Sequence, residues 1–254
     1  MKILHLCQDY PWFKGGYELF EQAFPDQNKY VYLSSKPESK IKYLNEINNF
    51  ELISQSNIYK LEKLLNRYSL IIIHGFTKHI VAEIILRENI TAKFVWFIMG
   101  ADMYQNKFIY NKPLYGKITK QLLNKHISEY DYLDKLKDIY RFFRYRNKNF
   151  KSIKSDFSKR KIVDAIEKLD LVSTFQPEQF NLLKNANVIK KETKRVHFTY
   201  YPLEYITKDD KNKSFELGNN ILLGNSASYT NNHAEIINDL SKVSLQEKKV
   251  FVPL

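Results

Sequence analysis

Short strand-like segments that are apolar almost throughout alternate along this chain with longer stretches of helical periodicity. Strands with one solvated side alternate apolar and polar residues, whereas near-continuous apolar runs are typical of a parallel sheet covered by helices on both faces. The pattern therefore predicts an α/β, doubly wound fold. The predicted strands are Lys2–Cys7, Tyr30–Ser34, Leu70–His74, Phe94–Met99, Leu169–Phe175, Val196–Tyr201, Asn220–Gly224 and Lys249–Pro253. Helical periodicity covers residues 58–68, 80–86, 162–169, 180–183 and about 231–243.

A polar, unpatterned segment, Lys208–Leu217, separates two series of strands and helices. The chain has 254 residues and 44% apolar content, enough for one large domain or two smaller ones. We predict a Rossmann-like domain over residues 1–207, a linker over 208–219, and the start of a second Rossmann-like domain over 220–254. About 35 residues cannot bury a core alone, so we expect the second domain to be incomplete and the chain to be truncated.

The sequence has neither a secretory signal nor a long apolar run. The apolar start of the chain is short and is interrupted by His5. No run of about 18 apolar residues occurs, so no membrane-spanning helix is expected. The single cysteine, Cys7, excludes an internal disulfide and a multi-cysteine metal site. These features favour a chain of the cytoplasmic type.

The net charge of +12 is concentrated in one segment. Residues 135–161 hold eleven Lys or Arg against two Asp, a local balance of 11 − 2 = +9. Helical spacing puts four cations, Lys137, Arg141, Arg144 and Lys148, on one face. The opposite face carries Tyr132, Leu136, Ile139, Tyr140 and Phe143.

Two interpretations of this basic segment stay open at this point. A cationic face backed by an aromatic stripe is typical of a helix that lies on an anionic membrane. Alternatively, the stripe packs on the domain's own core and the cations are solvated. Nucleic acid is a lesser alternative, since no helix-turn-helix, zinc or RNP-type pattern accompanies the basic segment.

Several common enzyme motifs are missing. There is no G-x-G-x-x-G, P-loop, H-E-x-x-H or G-x-S-x-G motif, and the pair Gly15-Gly16 is too little for a dinucleotide fingerprint. Asp-x-Asp is absent too. Metal-dependent sugar transferases use this pair to hold a divalent ion against a diphosphate, so a sugar transferase with this sequence would have to work without a metal ion.

The predicted strand Asn220–Gly224 is followed by Asn225 and Ser226, and a helix starts near His233. Backbone N–H groups and the positive end of the helix dipole converge in such a turn, which favours anion binding. The structural alternative is that Asn225 and Ser226 shape a turn and Thr230 caps a helix.

Further polar residues follow predicted strands. Phe94–Tyr104 runs into Gly100-Ala101-Asp102, while Asp9 and His74-Gly75 follow two other strands. Ligands of open α/β sheets bind at the carboxyl ends of the strands, so we expect these residues along one edge. Asp102 as a helix N-cap is the alternative.

The Trp96-to-Tyr104 pattern W-x-x-x-G-A-D-x-Y and the pattern L-G-N-S-x-x-x-T-N-x-H starting at Leu223 together resemble one family of glycosyltransferases. It is the dTDP-N-acetylfucosamine:lipid II N-acetylfucosaminyltransferase family (4-acetamido-4,6-dideoxy-D-galactose transferases), which acts in enterobacterial common antigen assembly. Asp9-Tyr10-Pro11, His74-Gly75 and the final Val-Phe-Val-Pro match further elements in the same order.

The resemblance implies a GT-B fold of two Rossmann-like halves with the site in the cleft between them, no metal and no cofactor. The N-terminal half would face a polyprenyl-diphosphate-linked acceptor at the cytoplasmic face of the inner membrane, and the C-terminal half would bind a dTDP-sugar. Gly224, Asn225, Ser226, Asn231 and His233 carry over as donor-diphosphate contacts. His74 and Gly100 are expected on the acceptor side, and the basic segment on the membrane.

The expected reaction is an inverting sugar transfer in which Asp9 or Asp102 removes the acceptor's proton. Two other classes stay open: a membrane-attached binding module without catalysis, and a basic nucleic-acid-binding protein.

Overall fold

The computed structural model describes residues 1–34, 41–54, 57–86, 90–110, 115–123, 159–198, 200, 219–224 and 232–252. The chain divides into two compact units. Unit 1 comprises Met1–Asn111 and Lys154–Lys211, and unit 2 comprises Lys112–Ile153 and Asn212–Leu254. The predicted linker at 208–219 lies almost wholly outside the described residues, so it stays a prediction.

Unit 1 is built on a seven-stranded sheet in the order β3-β2-β1-β4-β5-β6-β7, in which every neighbouring pair is parallel. Its strands are β1 (Ile3–Cys7), β2 (Asn28–Ser34), β3 (Phe50–Ser54), β4 (Leu70–His74), β5 (Lys93–Phe97), β6 (Leu171–Ser173) and β7 (Lys194–Val196). The predicted α/β class and parallel sheet are confirmed, and the fold is compatible with a Rossmann-like architecture.

The helices of unit 1 connect successive strands of the sheet. They are α1 (Phe13–Ala23), α2 (Ile58–Leu65), α3 (His79–Leu86), the single turn α4 (Ala101–Tyr104) and α5 (Pro177–Asn185). Residues 159–166 are also helical, and Leu44–Glu46 form a 3-10 turn. Among the described residues, no helix is long and apolar enough to cross a membrane.

The sheet has a separate hydrophobic cluster on each face because its strands alternate between the two. In β1, Leu4 and Leu6 belong to one cluster, and Ile3 and Cys7 belong to the other. Leucines and isoleucines of α2, α3 and residues 159–166 cover the first face. Phe13 and Phe20 of α1 cover the second face. Burial on both faces explains why these strands are apolar almost throughout.

The strand order reverses direction between β1 and β4. The chain first moves outward from β1 through β2 to β3, then returns to pair β4 with β1 and continues to β7. Such a reversal leaves a crevice at the carboxyl ends of the two central strands, where ligands of open parallel sheets bind. The residues after Cys7 and His74 lie at this edge.

Unit 2 contains a two-stranded parallel sheet of β8 (Ile221–Leu222) and β9 (Val250–Phe251), with the helix α6 (His233–Leu240) between them. Residues 117–123 are helical and lie against α6. The Gly116 N–H donates to Asn232 Oδ1 at 2.7 Å, and the Thr119 N–H donates to Glu235 Oε1 at 2.9 Å. Both predicted strands of this segment and its predicted helix are present.

The predicted strand Val196–Tyr201 is wrong at the described residues that follow Val196. β7 ends at Val196, and the Phe198 N–H donates to the Ser173 side chain instead of extending the ladder. Phe198 and Tyr200 belong to the aromatic cluster on one face of the sheet, where Tyr200 is 2% exposed. Their hydrophobicity therefore reflects packing, not strand pairing.

Candidate functional site

Asp9 follows β1 at the carboxyl edge of the sheet and is partly exposed. Its carboxylate accepts three backbone N–H donors, from Lys42 at 2.8 Å, Tyr43 at 2.8 Å and Leu44 at 3.1 Å. These bonds hold the segment around the 3-10 turn next to the end of β1. A carboxylate has about four acceptor sites, so Asp9 keeps acceptor capacity on its exposed side.

Asp102, the other predicted base, is 4% exposed. Its carboxylate accepts the Phe76 N–H at 2.8 Å, the Trp96 indole N–H at 2.6 Å and the Met99 N–H at 3.0 Å. Burial raises the pKa of this carboxyl, and the three donors oppose that rise. Asp102 therefore ties the ends of β4 and β5 together beneath the surface.

The alternative interpretation of Asp102 as an N-cap is wrong, because Gly100 occupies the N-cap of α4. Gly100 has a φ of 92°, which glycine adopts without strain. A Cβ at Gly100 would meet only Tyr104 Cδ2, at 3.9 Å, so backbone conformation and not space requires the glycine here.

His74, the last residue of β4, is 1% exposed because its side chain packs against Phe13 and Phe20 of α1. Its Nε2 is 2.9 Å from His5 Nδ1, and its Nδ1 contacts the Tyr200 hydroxyl. His5 Nε2 in turn is 3.0 Å from Asn28 Oδ1. The predicted acceptor-side role of His74 therefore cannot rest on direct contact with a ligand in this conformation.

The Asn28 amide determines the direction of this buried chain of hydrogen bonds. Its Nδ2 donates to the Phe20 carbonyl at 3.1 Å and the Phe24 carbonyl at 2.7 Å, so its Oδ1 accepts from His5 Nε2–H. Burial lowers the pKa of both imidazoles, so both are neutral near pH 7. In the neutral pair His5 Nδ1 accepts from His74 Nε2–H, and His74 Nδ1 accepts from the Tyr200 hydroxyl.

Gly15 and Gly16, which follow the first strand, lie within α1 and are buried. A Cβ on Gly16 would overlap the ring of Tyr200. Gly16 therefore allows α1 to pack closely on an aromatic side chain.

The turn after β4 is built from Gly75, Phe76 and Thr77. Gln8 Nε2 donates to the Gly75 carbonyl at 2.7 Å and to Thr77 Oγ1 at 3.0 Å, across the reversal of strand order. Lys78 follows at the entrance of α3. Sequence reasoning missed Gln8, which directly follows β1, and Lys78, which ends the loop between β4 and α3.

In unit 2, Gly224 has a φ of 70°, and a Cβ there would overlap His233 Nε2. His233 is the first residue of α6, and its Nε2 atom is buried with no hydrogen-bond partner in the described part of the chain. Gly224 and His233, two of the predicted donor contacts, are thus brought together. The other three, Asn225, Ser226 and Asn231, lie outside the described residues.

The basic-face residues Lys137, Arg141, Arg144 and Lys148 lie outside the described residues, so the interpretation of that segment stays a prediction. Within the described ranges, no group of three or more His, Cys, Asp or Glu side chains is arranged to hold a metal ion. Comparison of the chain with protein-family models found no match, and comparison with curated proteins found none either.

Proposed function

We propose that this chain acts in an inverting, metal-independent sugar transfer of GT-B type. The donor would be a dTDP-linked amino-deoxyhexose resembling N-acetylfucosamine, and the acceptor a polyprenyl-diphosphate-linked glycan at a membrane surface. The observation that carries this proposal is the turn after β8, where Gly224 lies against the unpartnered Nε2 of His233 at the start of α6.

The chemistry of this turn suits a departing diphosphate. A buried imidazole nitrogen without a partner is costly unless a ligand completes its hydrogen bonding. His233 is also at the N-terminus of α6, where backbone N–H groups and the helix dipole favour an anion. Donors aimed at the negative charge that develops as the glycosidic bond breaks would lower the barrier to transfer. Asn225, Ser226 and Asn231 would add polar contacts to the same diphosphate.

Asp9 is the better-supported general base of the two predicted carboxylates. It is partly exposed at the edge where β1 ends, and three backbone N–H donors orient it. It would accept the proton of the acceptor hydroxyl as that oxygen attacks the anomeric carbon and the nucleoside diphosphate leaves. Asp102, buried beneath three donors, would position the loops around the acceptor.

Attachment to the membrane would come from the basic face of Lys137, Arg141, Arg144 and Lys148. Each cation near an anionic surface contributes about 1 kcal/mol to binding. Replacing Arg141 and Arg144 with Glu should therefore abolish sedimentation with anionic liposomes. Unchanged sedimentation would exclude this segment as the anchor.

The first test of the donor site is calorimetric titration with dTDP, UDP and GDP at fixed salt and without metal. We expect selective binding of dTDP, weakened about tenfold or more in His233→Ala. His79→Ala is the matched control, because His79 is likewise the first residue of an eight-residue helix. Nucleotide binding that is absent, or insensitive to His233, would refute the proposal. Liposome binding without any nucleotide binding would favour a membrane-binding module instead.

A further inference from the structure

A pocket opens in unit 1 where β1, β2 and β4 end. It is a small recess with a cavity volume of about 20 Å³, enough for a water-sized group, and it lies at the reversal of strand order. Its floor is apolar and its polar side chains are Gln8 and Lys78. The lining residues are Leu6, Cys7, Gln8, Leu33, Ile73, Gly75, Phe76, Lys78 and Val81.

Lys78 is a partly buried cation without a carboxylate partner in the described part of the chain. Its ammonium donates to the Leu33 carbonyl and lies 4.4 Å from the centroid of the Tyr32 ring. By contrast, Lys14, Lys29, Lys161 and Lys242 each form an ion pair with a carboxylate. Burial lowers the pKa of Lys78, which shows that its charge is poorly compensated.

The backbone that carries Lys78 is held in one conformation. Gly75 has a φ of 77°, its N–H donates to the Phe97 carbonyl at 2.9 Å, and its carbonyl accepts from Gln8. The next N–H, of Phe76, donates to the buried carboxylate of Asp102. A partly desolvated cation on such a rigid turn needs little reorganisation to meet a ligand.

We propose that this Lys78 pocket is an anion site that binds an oxygen of a phosphate group on a soluble or lipid-linked ligand. The ammonium has three donors, and one is used on Leu33, so two remain for the ligand. Lysine binds phosphate as a compact point charge, without the forked geometry that arginine offers to both carboxylate and phosphate. The apolar floor excludes water and strengthens the charge interaction.

The pocket is adjacent to the predicted base. Gln8, which lines the pocket, directly precedes Asp9 in the chain. Burial raises the pKa of Tyr32, whose ring contacts Lys78, and the charge of Asp9 raises it further. This anion site does not depend on the proposed sugar transfer, because phosphate would bind at Lys78 whether or not a sugar is transferred.

The test uses the whole chain with inorganic pyrophosphate as the probe, titrated by calorimetry at fixed low salt. Lys78→Gln should weaken binding about tenfold or more. The control Lys14→Gln removes the same charge from a side chain that is 58% exposed and paired with Glu46, and it should leave affinity within about twofold. Because the donor turn in unit 2 would also bind pyrophosphate, Lys78→Gln is measured again in a His233→Ala background, where the Lys78-dependent loss should persist.

A second arm identifies the source of the phosphate. Vesicles of phosphatidylcholine with a minor fraction of phosphatidylglycerol are sedimented with the wild type and with Lys78→Gln. If Lys78→Gln loses binding to the vesicles alone, the site binds a lipid headgroup. If Lys78→Gln loses binding to pyrophosphate, the site binds a soluble or exposed diphosphate. Equal affinities of the two proteins in both arms would overturn the proposal.

A measurement on the wild type guards against misfolding of the variant. Reductive methylation of lysines is followed by mass spectrometry with and without pyrophosphate. Lys78 should be protected by the probe while Lys14 continues to react. Lys78 reacting at the same rate in both conditions would overturn the proposal independently of any variant.

Discussion

His5 Nδ1 and His74 Nε2 lie 2.9 Å apart on the face of the sheet that α1 covers, although the two residues are 69 positions apart in the chain. They belong to β1 and β4, the two strands that meet at the reversal of strand order. The Asn28 amide fixes His5 Nε2 as a donor, and the Tyr200 hydroxyl completes the chain on His74. Burial disfavours an added proton on either ring, because the charge would be held away from water.

This arrangement predicts that the fold loses stability in mild acid. Burial lowers the pKa of His5 from 6.5 to about 4 and that of His74 well below 6.5. As pH falls below about 6.5, the unfolded chain binds up to two protons that the folded chain excludes. Above that pH the two neutral imidazoles do not reduce the free energy of unfolding. Below it, the free energy of unfolding should decrease by up to about 2.7 kcal/mol per pH unit toward pH 4. Urea denaturation at a series of pH values measures this slope.

His5→Gln is the control for that slope. Glutamine keeps a polar group near Asn28 and removes one of the two titrating rings. The pH dependence between about 6.5 and 4 should be roughly halved in this variant. A slope equal to that of the wild type would contradict the assignment of acid sensitivity to the buried pair.

The contact of Gly16 with Tyr200 predicts an unusual cost for an alanine in a helix. Replacing a helical glycine with alanine ordinarily stabilises by about 1 kcal/mol. Here the added Cβ would overlap the Tyr200 ring, so Gly16→Ala should destabilise the protein by about 1–3 kcal/mol. Denaturation of Gly16→Ala, Tyr200→Ala and the double variant tests the pair. In the Tyr200→Ala background the same substitution should become neutral or stabilising, and additive costs would exclude the contact as the cause.

The strands of the sheet interior could be predicted because burial on both faces made them apolar throughout. β1, β4 and β5 overlap their predicted ranges closely. The edge strand β3 was missed, because Phe50–Ser54 includes a charged residue and has only one neighbour, β2. Helix α1 was missed because adjacent glycines are typical of a turn, and only the contact with Tyr200 explains a glycine at position 16.

The candidate site was predictable in position and less so in detail. Residues that follow strands do gather at the carboxyl edge, which is a property of any parallel sheet. Which side chains remain accessible depends on hydrogen-bond partners that are distant in sequence. Asp102 is covered by Trp96 and by backbone from β4's turn, and His74 by His5. Residue spacing contains no information on those partners.

The two predicted bases should separate in a comparison of stability with activity. Asp102→Asn replaces one acceptor oxygen of a buried group by an NH2 that faces an N–H donor, so it should destabilise the fold by about 1–3 kcal/mol. Asp9→Asn should cost less, because water can reach its partly exposed donors. Thermal melts of the two variants measure these losses of stability.

Sugar transfer by the two variants is then compared at a temperature where both are folded. The proposal expects Asp9→Asn to lose transfer about 100-fold or more and Asp102→Asn to retain most of it. The reverse order would assign the proton transfer to Asp102 and limit Asp9 to holding the 3-10 turn.

Gly75 and Gly100 provide a matched pair for the turns at the edge of the sheet. Both have positive φ, 77° and 92°, so alanine at either position should cost about 1–2 kcal/mol in backbone strain. Only Gly75 is also enclosed: its Cβ would be 2.7 Å from Gln8 Nε2 and 2.9 Å from Met99 Cγ, whereas the nearest atom to a Cβ at Gly100 is Tyr104 Cδ2 at 3.9 Å. Gly75→Ala should therefore destabilise the protein by about 1–3 kcal/mol more than Gly100→Ala, because overpacking adds to the strain.

Urea denaturation of the two variants measures the difference. Equal costs would mean that Gln8 and Met99 move aside freely, and the turn that carries Lys78 would then be less rigid than its hydrogen bonds indicate.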